Sequence, residues 1–187
     1  MSLTTLDQRT ALLVVDLQEG IINLPTVHPA TDIVGHAASL AKAFRAHGLP
    51  VVLINVAGGA PGRTELPRST SKPKPSWTDL VPQLQASDGD HLVTKKSWNA
   101  FHDTLLDEYL RSASISQVVI AGIATSIGVE STARSAHDRS YNVTLATDAM
   151  TDLDAEAHYN TVERIFPKLG ETGTTAALLT LLDKTHR

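Results

Sequence analysis

Residues 117–136 read Gln117-Val-Val-Ile-Ala-Gly122-Ile-Ala-Thr-Ser-Ile-Gly128-Val-Glu-Ser-Thr-Ala-Arg-Ser-Ala136. Val118 to Ala121 is a short unbroken apolar run, the pattern of a strand covered on both faces. A turn punctuated by glycine follows, and Ile127 to Arg139 then reads as a helix. The same strand-then-helix alternation extends in both directions. Ala11 to Asp16 and Val51 to Val56 are further apolar runs, with a helix of 3.6-residue spacing (Ile33 to His47) between them, stopped by Gly48-Leu49-Pro50. A short helix is expected at Trp77 to Leu84, a strand at His91 to Thr94 and a helix at Thr104 to Arg111. Beyond the quoted stretch, a strand at Val143 to Ala146 and a helix at Ala155 to Ile165 continue the pattern. A short sixth strand near Pro167 to Gly170 and a last helix around Thr175 to Asp183 complete it. Alternation of this kind predicts an α/β fold: a doubly wound, mainly parallel sheet of about six strands with helices on both faces, a Rossmann-like three-layer arrangement.

The chain has 187 residues, enough for one well-cored domain over 1–187 and short for two. Its net charge is −4 with both signs dispersed, and no basic block or aromatic-basic stripe points to nucleic acid. No apolar run approaches the ~20 residues of a membrane-spanning helix. The N-terminus lacks the charged and apolar regions of a signal peptide, which makes the cytoplasm the default location. There is no cysteine, so thiol catalysis and disulfides are both excluded.

In open α/β sheets, ligands bind beyond the carboxyl ends of the strands, where the strand order reverses. Asp16 directly follows an apolar run, where partial burial raises a carboxyl pKa and suits it to proton transfer. A turn or capping aspartate has the same sequence signature. Lys95 and Lys96 follow the third strand, and either is equally a solvated lysine. Around Gly122 to Gly128, small residues permit close approach of a ligand, and the first amides of the next helix favour a carboxylate or a developing oxyanion. A tight structural connection would look the same. Ser126, Ser131 and Thr132 supply hydroxyls, but no Ser-His-Asp elbow pattern accompanies them. The eight histidines show no metal-ligand spacing, so no metal or other cofactor is expected. Residues 57–76 form a long Gly/Pro-rich loop in which Arg63, Arg68, Lys72 and Lys74 are candidates to meet a substrate carboxylate or are ordinary solvated charges.

Three spaced stretches, Ala11 to Gln18, Val93 to Phe101 and Gly122 to Ala133, resemble the isochorismatase-like (cysteine hydrolase) superfamily in content and order, and Tyr141 to Ala149 is similar to the segment that follows them there. The resemblance covers nearly the whole chain. It implies a hydrolase of a small molecule and a homo-oligomer, a dimer or larger. It assigns the catalytic aspartate to Asp16 and the catalytic lysine to Lys95, and it puts Gly128 where most members carry the nucleophilic cysteine. It also implies substrate contacts from Gln18, Trp98, Phe101, Thr125, Ser126, Ile127 and Val129, an anion site at the amides of 126–129, and a cis peptide near Ile123-Ala124. Trp98 and Phe101 equally suit core packing. Asn55-Val-Ala-Gly-Gly59 stands where metal-dependent members carry an Asp-x-His motif, which implies no metal here. Isochorismatases proper replace the cysteine, often by Gly after Ile, as in Ile127-Gly128. In them the aspartate protonates the vinyl ether of isochorismate, water captures the cation and pyruvate leaves. The implied activity is therefore cysteine-independent, general-acid hydrolysis of an enol ether such as isochorismate. The alternatives are hydrolysis of another small ester or amide by Asp-activated water, and a catalytically silent binding or assembly module.

Overall fold

Every residue of β1 (Thr10–Val15) is buried, because this strand lies inside the sheet with helices over both faces. The computed structural model describes residues 3–66 and 73–186. β1 pairs with β2 (Val51–Val56) on one side and β4 (Gln117–Ile123) on the other. β3 (His91–Lys95) lies outside β2, and β5 (Asn142–Thr151) and β6 (Glu171–Gly173) lie beyond β4. All pairings are parallel and the order is β3-β2-β1-β4-β5-β6. The order reverses between β1 and β4, and that reversal places a crevice beyond Val15 and Ile123.

Alternation along the strands divides the core into two layers. Leu12, Val14, Leu53, Val119 and Ala121 pack with α2 (Ala30–Ala46) and α7 (Thr175–Thr185). Leu13, Val15, Ile54, Val118 and Ile120 pack with α3 (Leu106–Ser112), α4 (Glu130–Asp138) and α6 (Phe166–Leu169). Helix α2 buries Ile33, Val34, Ala37, Leu40, Ala41 and Phe44, the apolar stripe its sequence predicts. The short α1 (Glu19–Ile22) follows β1, and α5 (Ala155–Asn160) follows β5.

Several expected boundaries differ. Trp77 to Leu84 is not a helix but two 3₁₀ turns, Pro75–Thr78 and Pro82–Leu84, with Leu80 between them bridged to Gln18. Pro82 is the reason, since it lacks an N–H and holds Val81 extended. The sixth strand begins after Pro167 to Gly170, at Glu171, because Phe166 and Pro167 continue a helical segment. The helix expected from Ile127 opens as a π-helical turn, Thr125–Val129. Strand β5 runs on to Thr151, with its register against β4 shifted between Ile120 and Gly122. Among the described residues no helix is long and apolar enough to cross a membrane.

Candidate active site

Asp16 leaves the end of β1 with φ 55°, a left-handed conformation that Asp tolerates better than most residues. Its backbone N–H is anchored to Ile54 O at 2.8 Å. Asp16 is buried (5% exposed), and its Oδ2 accepts a 2.7 Å hydrogen bond from Lys95 Nζ. Lys95 is 1% exposed and also donates to Ser97 O at 3.1 Å. Burial pushes the Asp16 carboxyl up to about 6, and the Lys95 ammonium limits the rise. Oδ1 is buried with no hydrogen-bond partner among the described residues.

Gly122, on the adjacent strand, allows β4 to approach closely. Its φ is +131°, and a Cβ there would lie 2.0 Å from Val15 O. The Ile123-Ala124 peptide that follows is cis. The chain then turns so that Gly128 faces the ion pair: an added Cβ would sit 3.1 Å from Asp16 Oδ2 and 3.2 Å from Val15 Cγ1. A side chain at position 128 would therefore project beside the carboxylate.

A cavity of about 230 Å³ opens here, with Asp16, Lys95 and Gly128 in its wall. Ile127 and Trp98 line it too. The rest of the wall was missed: Ile21, Leu24, Val56, Gly58, Trp77 and Leu153 among others. Gly58 carried a signal, as part of the Gly/Pro-rich loop after β2, and so did a large aromatic just beyond that loop, Trp77. Gly20 gives it room, since a Cβ there would lie 2.2 Å from the indole.

Five expected contact residues lie off the wall, each engaged elsewhere. Gln18 is fully buried; Nε2 donates to Val56 O (3.1 Å) and Trp77 O (2.8 Å), and Oε1 accepts from Val56 N (2.7 Å). Phe101 packs in the core beside Tyr141, with Arg139 over its ring, and Val129 is core as well. Thr125 Oγ1 pairs with His158 Nδ1 at 2.9 Å, a buried contact that nothing in the sequence announced. Three of the four amides expected to form the anion site, those of Ser126, Ile127 and Val129, are also engaged. Ser126 N donates to Asp152 Oδ2 (2.6 Å), and the N–H groups of Ile127 and Val129 donate to Ala124 O. Arg63 and Lys74 are exposed and off the wall; Arg68 and Lys72 lie outside the described residues. Lys96 is exposed and lines a neighbouring depression with Gly59 and Pro61. Among the described residues no group of three His, Asp or Glu side chains is placed to hold a metal ion.

The model of the isochorismatase domain matches residues 10–177. The isochorismatase family protein YwoC of Bacillus subtilis is 40% identical over 179 residues, covering 92% of this chain and 93% of its own. A solved isochorismatase family protein from Burkholderia thailandensis superposes with a TM-score of 0.93 at 40% identity, over 97% of this chain and all of that one. Enterobactin synthase component B of Escherichia coli is 25% identical over 92% of this chain and 63% of its own length.

Proposed function

The chain belongs to the isochorismatase family of hydrolases, and we propose that within it this protein hydrolyses an enol ether of a small molecule by proton transfer from Asp16, without a covalent nucleophile. The observation that carries the reading is the Asp16 carboxyl. It is buried at a cavity wall with its pKa pushed up to about 6, one oxygen on Lys95 and the other without a partner among the described residues. Such a group carries a proton in a useful fraction of molecules near neutral pH, which is what a general acid needs. With glycine at 128 and no cysteine in the chain, thiol attack has no residue to perform it.

Protonated Asp16 gives its proton to the terminal vinyl carbon, and the C=C electron pair forms the new C–H bond. The ether carbon becomes an oxocarbenium ion. Water adds to that carbon and returns a proton to the Asp16 carboxylate, and the hemiketal breaks into an alcohol and a carbonyl compound. Lys95 assists because its ammonium meets full negative charge on Asp16 only after the proton has left. It therefore favours the transition state over the ground state.

The test is release of phenol from phenyl vinyl ether, and of pyruvate from isochorismate, compared with an Asp16→Asn variant. Loss of about 10²–10⁴-fold in the variant is expected for at least one of these substrates. The acid form of Asp16 works, so the rate falls as pH rises through about 6. The unpartnered Oδ1 also suits a water-activating carboxylate, the second reading, in which a small ester is hydrolysed instead and the rate falls as pH drops through the same range. Enol-ether hydrolysis undiminished in Asp16→Asn would reject the acid role.

A further inference from the structure

Charge at the cavity wall narrows the substrate class, on the reading that Asp16 is the working acid. Among the described lining residues Asp16 and Lys95 are the charged ones, and they close on each other at 2.7 Å. Lys95 spends a second donor on Ser97 O, which leaves one N–H of its three. Asp16 Oδ1 is a buried oxygen with no hydrogen-bond partner among the described residues. A buried polar atom in that condition is costly, and a ligand N–H or O–H would satisfy it. A ligand carboxylate would do the opposite. It would bring further acceptors to the ionised carboxylate, and it would shed its hydration without meeting an uncompensated cation among the described residues. The surrounding wall rewards apolar surface, through Ile21, Leu24, Val56, Ile127 and the indoles of Trp77 and Trp98.

We infer that the substrate is an uncharged, mainly apolar small molecule that engages Asp16 Oδ1, donating a hydrogen bond to it when Asp16 is ionised and taking its proton when Asp16 is the acid, that it presents an acceptor to Lys95, and that the site selects against carboxylates. A hydroxyl-bearing neutral enol ether fits this description. A dicarboxylate such as isochorismate does not.

Benzamide and benzoate test the inference, because they share a shape and differ in charge. The chain has two tryptophans, Trp77 and Trp98, and both line the cavity, so quenching of intrinsic fluorescence reports occupancy. At pH 8, where Asp16 is ionised, benzamide is expected to bind the wild-type protein about tenfold or more tightly than benzoate. Benzoate binding equally or more tightly, or benzamide not binding, overturns the inference. In Asp16→Asn the Lys95 charge is left uncompensated, and benzoate should gain on benzamide by about tenfold. An unchanged ratio in that variant also overturns it. Binding needs no turnover, so a benzamide preference without enol-ether hydrolysis would reject the acid chemistry while upholding the selectivity. Turnover of isochorismate with a benzoate preference would do the reverse.

Discussion

Lys95 and Lys96 are neighbours in sequence and opposites in environment. Along β3 burial alternates, so Val93 and Lys95 point inward while Thr94 and Lys96 face solvent. The inward lysine spans to the end of β1 and meets Asp16. Removing it with Lys95→Met would leave Asp16 buried without its cation and drive the carboxyl further above about 6. The folded-state pKa of Asp16 lies above its ordinary 3.8. The stability this group contributes is therefore full below the unfolded value and lost as pH rises through the folded one. Lys95→Met is expected to cost about 3–5 kcal/mol at pH 8, and less at pH 5, where Asp16 takes up a proton. Urea denaturation at the two pH values measures this, with Lys96→Met expected within about 0.5 kcal/mol of wild type as the exposed control. Equal losses in the two variants would show that the buried pair has no special place in stability.

At the scale of elements, the cavity exists because the end of β1, the end of β2 and the 75–78 turn are tied together. Gln18 is the tie, with three hydrogen bonds to the backbone of Val56 and Trp77. A methionine at position 18 would keep the bulk and strand those half-buried backbone groups. Gln18→Met should cost about 2–4 kcal/mol, since unsatisfied buried groups carry their full desolvation penalty. It should also shift tryptophan emission to the red as Trp77 loosens and weaken benzamide binding. Unaltered stability and emission would mean that the turn is held by something else. The opposite wall depends on an element detail as well. The π-helical turn Thr125–Val129 turns its amides toward Ala124 O and Asp152 and its Thr125 hydroxyl toward His158, and it leaves Ile127 and Gly128 to line the cavity.

Across the whole molecule, the doubly wound sheet separates stability from chemistry. The two apolar layers hold the strands, and the cavity sits at the carboxyl edge where β1 and β4 part company. Phe44 is fully buried near the end of α2 that leads into the start of β2, the edge opposite the cavity. Phe44→Ala should therefore lower stability by about 3–5 kcal/mol in urea denaturation while leaving the affinity for benzamide unchanged in the folded protein. A loss of affinity in step with the loss of stability would show that the two ends of the sheet are coupled.

The sheet was legible because fully buried parallel strands must be written as unbroken apolar runs, and Ala11 to Val15, Val51 to Ile54 and Val118 to Ala121 are so written. Asp16 was legible for the same reason, as the carboxylate that ends such a run. Local pattern could not separate Gln18, Phe101 and Val129 from the cavity wall, because a side chain's neighbours come from strands and turns far away in sequence. It could not announce Ile21, Leu24 or Leu153 either, since apolar residues outside the strands look alike until the chain is closed. Sequence by itself determined the layers, the absence of a thiol and the carboxylate at the strand end. The tertiary structure alone decided which amides are already taken and which oxygen of Asp16 has no partner among the described residues, because each of these depends on contacts between segments that only folding brings together.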